Sequence, residues 1–174
     1  VNASVGLGAS GQGYETAFAQ VVADGLGVDP AQVRVHMGNT DVAPYGMGSR
    51  GARGGTAGGT AIFLAAREAN EKVLAIAAKM LGFDSAEGLH LVDGRIEREI
   101  LGERVRTELT LAQIARTAYL DPTALPPGMA PGLDFSRTYD PPPMTYSNAC
   151  HACDLEVDVD TGALKIAPYV VAED

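Results

Sequence analysis

Gly11-Gln12-Gly13 and Arg53-Gly54-Gly55-Thr56 are the two places where residue type and spacing could do chemistry. Glycine lets the main chain take positive φ and lets a ligand lie against N–H groups with no Cβ between them. A helical pattern follows each segment, and the start of a helix offers unpaired N–H donors and a partial positive charge. Gln12 adds an amide that is both donor and acceptor, and Arg53 adds a planar, permanently charged fork that lysine could not imitate. Together they describe a two-loop cradle for an anion, with phosphate the natural occupant. The longer stretch from Gly46 to Gly59, half of it glycine, also reads as a flexible linker or a tight helix–helix contact, and its own composition does not choose.

Other chemistries are poorly supported. A Walker loop ends in Gly-Lys-Ser/Thr, and neither glycine-rich segment has the lysine, which excludes a nucleoside triphosphatase. Gly6-Leu7-Gly8-Ala9-Ser10-Gly11 matches the dinucleotide string GxGxxG, but the helical pattern starts only after Gly13. No serine sits in a GxSxG elbow. Asp158 and Asp160 fall on an edge hairpin, where a solvated face is the simpler reading than a catalytic dyad. Cys150 and Cys153 have CxxC spacing, yet they run into the alternating Leu155-Glu156-Val157-Asp158-Val159 rather than opening a helix that would lower a thiol pKa. His36 and His90 stand alone in strand-like runs, so no metal ligand set is assigned, and the cysteines are read as reduced residues of a strand.

The elements that position these residues follow from periodicity. Val1 to Gly8 reads as a strand, and a turn through Gly11-Gln12-Gly13 feeds a helix with Ala17, Phe18, Val21, Val22 and Leu26 on one face. Gln32 to Met37 alternates as a second strand with Val33, Val35 and Met37 buried, giving βαβ order. Turn chemistry from Gly38 to Tyr45 leads into the glycine-rich stretch. A helix from about Gly58 to Leu81 then offers Ile62, Ala65, Ala69, Val73, Ile76, Ala77 and Met80 to a core. Asp93-Gly94 predicts a type I′ hairpin between Leu89–Val92 and Arg95–Arg98, and Thr110 caps a short helix to Tyr119. A proline-rich excursion, about 120–144, carries aromatics enough to be held in place. Strands over Ala152 to Asp160 and Ala163 to Ala167 form a last hairpin, and the chain stops at Ala172-Glu173-Asp174 with no closing element. The expected class is α+β, βαβ-type layers with additional hairpins, in a single domain over residues 1–174.

The chain has 174 residues, 46% of them hydrophobic, and a net charge of −9. Such a balance repels nucleic-acid backbones, so an anionic ligand needs local donors. No apolar run approaches the roughly 20 residues that span a bilayer. A cytoplasmic protein is expected, with neither nucleic acid nor membrane as partner, and the opening without methionine suggests a piece of something longer.

The ordered set Gly11-Gln12-Gly13-Tyr14-Glu15-Thr16 with Ala19-Gln20, Gly38-Asn39-Thr40-Asp41, Ala52-Arg53-Gly54-Gly55 with Gly58-Gly59, Thr110 to Ala115, and Glu156 to Gly162 resembles the molybdenum-binding subunit of the xanthine oxidase family. Large subunits of carbon monoxide dehydrogenase and related aldehyde oxidoreductases look most similar. The resemblance implies a molybdopterin cofactor, often the cytosine dinucleotide in bacterial members, with Gly11, Gln12, Gly13 and Arg53, Gly54, Gly55, Thr56 as contacts. Ala52 stands where the family commonly has serine, which removes one hydroxyl. The family reaction, hydroxylation of an aldehyde or purine or oxidation of carbon monoxide, uses a glutamate base in a region beyond Asp174, and passes electrons to iron–sulfur and flavin partners. Neither Glu15 nor Glu173 takes that role. The expectation is therefore a fragment that contributes cofactor contacts, has no catalytic residue of its own, is inactive alone and completes its site with the remainder of the subunit. The alternative is a stand-alone phosphate-binding or assembly module without catalysis.

Overall fold

A computed structural model describes residues 1–43, 45–143, 146 and 148–173. Pro44 in the turn before the glycine-rich stretch, Met144 at the end of the proline-rich excursion, and Asp174 lie outside the described residues. The chain divides into two compact units, Val1–Asp140 and Pro141–Asp174.

The first unit begins with the expected βαβ arrangement. Strand β1 (Asn2–Val5) pairs in parallel with β2 (Arg34–Met37), and helix α1 (Tyr14–Leu26) connects them. Phe18, Val22 and Leu26 of α1 are buried, as their helical spacing predicts, with Val21 partly buried beside them. Ala17 is exposed instead, because Tyr14, four residues before Phe18, takes the inward stripe and stacks on that ring at 4.9 Å. Val33, Val35 and Met37 are packed against the core but only partly buried, since a two-stranded sheet leaves its margins open.

Helix α2 (Thr60–Leu81) is the spine of this unit, with Ile62, Ala66, Val73, Ile76, Ala77 and Ala78 buried and Gly82 closing it at φ 75°. Its buried stripe runs through Ala66 and Ala78 rather than through Ala65 and Met80, and Met80 is exposed. Helical backbone also begins earlier than the periodicity suggests. A π-helical turn over Gly54–Gly59 leads directly into it.

The Asp93-Gly94 hairpin forms as expected, both residues having positive φ (49° and 74°), between β3 (Leu89–Val92) and β4 (Arg95–Ile100). A third strand, β5 (Glu103–Thr110), was not expected, because Glu103-Arg104-Val105-Arg106 carries little apolar alternation. It pairs antiparallel with β4 through a second tight turn at Leu101-Gly102, with φ 54° and 83°. Helix α3 (Leu111–Leu120) follows at once. The sheet closes on α1 where the Gly94 N–H donates to the Gly27 carbonyl at 3.3 Å.

The proline-rich excursion is strapped to the helices. Leu125 is buried, Gly132 N–H donates to the Ala118 carbonyl at 2.8 Å, and Tyr119 Oη donates to Asp134 at 2.9 Å. Arg137 pairs with Glu68 of α2 at 2.5 Å.

The second unit is an antiparallel ribbon of β6 (Ala149–Val157) and β7 (Leu164–Glu173), joined by the turn that Asp160-Thr161-Gly162 predicts. β7 runs beyond the expected end at Ala167, and Pro168 sits at a break in register between Ile166 and Tyr169 where no ladder bond is needed. Cys150 and Cys153 are free, exposed residues of β6. Asp158 organises the turn: its carboxylate accepts from the N–H groups of Thr161 (2.8 Å) and Asp160 (3.0 Å), and the bonds from Thr161 hold its carboxyl below the usual carboxylate range. Among the described residues no helix is long and apolar enough to cross a membrane.

Candidate functional site

The two glycine-rich segments, 40 residues apart in sequence, meet in space. Gly13 is the N-cap of α1 in the left-handed region (φ 75°) and supplies no side-chain cap, so the first-turn N–H groups are left without a capping side chain. Gly54 is buried against the first residue of that helix: a Cβ there would come within 1.8 Å of Tyr14 Oη. Tyr14 is fixed from two sides, by its stacking on Phe18 and by a 3.0 Å hydrogen bond between its hydroxyl and that of Ser49.

Within the first loop, Gly11 has φ 95° and open space where a Cβ would lie. Gln12 is more committed than its sequence position suggests. Its Oε1 accepts from the Ser10 N–H at 2.6 Å, so the acceptor end is spent within the loop and the amide NH2 remains to donate. That polarity suits an anion.

In the second loop, Gly54, Gly55 and Thr56 are not ahead of the helix but form its first turn, with Arg53 at the N-cap. Four glycines in six residues weaken the preference for a regular α-helix by roughly 1 kcal/mol each, and the wider turn results. Thr56 Oγ1 donates to the Arg53 carbonyl at 3.2 Å, which ties its hydroxyl to the turn. Gly55 is exposed with nothing where a Cβ would point, whereas Gly58 lies against Leu7 and Val5 and Gly59 against Phe18. Both readings of the stretch are therefore realised: Gly54, Gly58 and Gly59 serve close packing, and Gly55 leaves the backbone open. Arg53 is half-buried, its guanidinium 3.6 Å from the Met47 sulfur, and it forms no salt bridge with a carboxylate among the described residues. Ala52 holds positive φ (57°) in the turn before it.

The donor set of uncapped N–H groups, an amide NH2 and an unpaired guanidinium fits a phosphate-bearing group, with Glu15 the acidic residue in the first turn of α1. A family model described as the molybdopterin cofactor-binding domain matches residues 1–174. The chain belongs to that family. The molybdopterin cofactor-binding domain is 37% identical over 174 residues to the carbon monoxide dehydrogenase large chain of Afipia carboxidovorans, covering 100% of this chain and 21% of that protein. It is 33% identical to the nicotine 6-hydroxylase large subunit of Paenarthrobacter nicotinovorans, with 100% and 21% covered. Among solved structures, it superposes on a Cu,Mo-CO dehydrogenase in the carbon monoxide reduced state with a TM-score of 0.74 at 35% identity, over 98% of this chain and 20% of that one. The molybdopterin cofactor-binding domain thus spans about a fifth of the length of the curated relatives it matches. These relatives are large chains or subunits of oxidoreductases. Of the alternatives left open by the sequence, molybdopterin is the group the family assigns.

Tyr14 and Ser49 are the residues that sequence reasoning missed. Tyr14 belongs to the quoted Gly-Gln-Gly-Tyr motif, but nothing in the linear pattern says that its hydroxyl reaches a serine 35 positions later.

Proposed function

We propose that this domain forms one wall of the molybdopterin site in the large subunit of a molybdenum hydroxylase. Gly11, Gln12 and Gly13 make one donor loop, and Arg53, Gly54, Gly55 and Thr56 the other. The observation that supports this reading is the contact of Tyr14 Oη with Gly54, which sets the two segments side by side. In it, main-chain N–H groups and the Gln12 amide orient the cofactor's anionic part and Arg53 offsets its charge, in a chain whose net charge of −9 would otherwise repel it. The cofactor, often a cytosine dinucleotide form in bacterial members, supplies the redox chemistry when bound. Residues 1–174 contribute contacts as a single portion of the subunit, with no catalytic group, and turn over nothing by themselves. The names of the relatives support oxidation of a substrate of the carbon monoxide or nicotine class by the parent subunit. Electron transfer to iron–sulfur and flavin partners, in the cytoplasm, belongs to the same proposal and rests on the family resemblance.

The test is cofactor retention in the complete polypeptide that carries this chain. Gln12→Ala and Arg53→Ala should each shorten the lifetime of bound pterin about tenfold, the worth of one hydrogen bond to a charged group. Unchanged pterin content and release rate in both variants would refute the assignment of these loops.

A further inference from the structure

The geometry points to Tyr14 as a positioning residue that holds the two loops in register by way of Ser49. This inference rests on the cofactor reading above and deepens it.

Three independent contacts converge on this side chain. Its ring lies nearly parallel to that of Phe18, at 16°, and Phe18 is almost completely buried, so the ring is anchored to the core. Its hydroxyl reaches Ser49 on the loop that precedes Arg53. The backbone of Gly54 lies so close that no other residue fits there without displacing the phenol. Tyr14 is also the first residue of α1, directly after Gly13, so any movement of the phenol moves one donor loop relative to the other. A second close approach keeps the far end of the connection in place: a Cβ on Gly46 would meet the Gly6 carbonyl oxygen at 1.6 Å, just after β1. The Tyr14–Ser49 bond therefore pins the middle of a segment whose ends are already fixed. A site whose donors are held in place before binding loses less freedom when it binds.

The experiment compares Tyr14→Phe, Ser49→Ala and the double variant in the complete polypeptide, alongside Gln12→Ala. Tyr14→Phe keeps the ring stacking and removes only the hydroxyl. Bound pterin should be released roughly three to ten times faster in each single variant, as expected for one hydrogen bond, and no faster in the double variant. The melting temperature of the cofactor-free polypeptide should stay where it is. Release unchanged in Tyr14→Phe while Gln12→Ala accelerates it would overturn this inference and leave the cofactor reading standing. Release unchanged in all of them would overturn both. Faster release accompanied by a matching fall in the cofactor-free melting temperature would assign Tyr14 a purely structural role and overturn the proposal.

Discussion

Tyr119 is the residue with a distinct pH signature. Burial raises its phenol pKa first; the Leu133 backbone bond works against the shift, and the hydrogen bond and charge of Asp134 add to it. A phenol whose folded pKa is raised stabilises the fold in its neutral form. Its contribution is fully present below the ordinary phenol value and is lost as the pH rises through the higher folded value. The strap from Met129 to Arg137 should therefore loosen only in strong alkali. In an absorbance titration Tyr119 should ionise above the ordinary phenol range, and Tyr119→Phe should remove that late component. A single common transition in the unsubstituted chain would contradict this account. Individual residues at the candidate site show the same dependence on neighbours. Gln12 reads in the sequence as a candidate ligand-facing amide from its place between two glycines, and the Ser10 N–H beside it decides which end of that amide is left free.

At the scale of elements, the junction between β5 and α3 illustrates a stop and a start encoded in four residues. Thr110 Oγ1 accepts from the Gln113 N–H at 3.3 Å, and Gln113 Oε1 accepts from the Thr110 N–H at 2.8 Å, a reciprocal capping box. The cap fixes where Ile114 and Ala118 point, and both are fully buried. Thr110→Ala should lower the unfolding free energy by about 1 kcal/mol, read by thermal or urea denaturation, and Thr110→Ser should restore most of it. A loss no larger than a surface substitution would show that the box contributes nothing. The sequence made the helix and its threonine cap legible, because capping is local. It did not make β5 legible, since a strand with charged residues on half of its positions is recognisable only once β4 lies beside it. The π-helical turn was hidden for a related reason. Glycine runs carry no periodicity, so helical backbone expected from about Gly58 begins four residues earlier, at Gly54.

At the scale of the whole molecule, the units Val1–Asp140 and Pro141–Asp174 differ in what holds them. The first has a continuous core in which Val73, Ile76, Ile96 and Ile114 are essentially inaccessible to solvent. The second is a two-stranded ribbon whose Leu155, Val157, Leu164, Ile166, Val170 and Val171 are all exposed. Two strands without a covered face are marginal in water. Amide hydrogen exchange on the 174-residue chain should accordingly show the β6 and β7 amides exchanging orders of magnitude faster than those in the middle of α2. Equal protection in both would show that the ribbon is stable without further cover.

The sequence by itself determined the local features. The βαβ order, the Asp93-Gly94 turn, the cap of α3 and the glycine-bounded Gln12 all depend on residues within a few positions of one another. Its ordered motifs also pointed to the right family over the full 174 residues. Only the tertiary structure decided that the glycine-rich stretch divides its labour, Gly54, Gly58 and Gly59 packing against Tyr14, Phe18, Val5 and Leu7 while Gly55 stays open. The reason is physical: a missing side chain looks the same in the sequence whether its space is taken by a neighbour or kept for a ligand, and only the packing of distant residues tells the two apart.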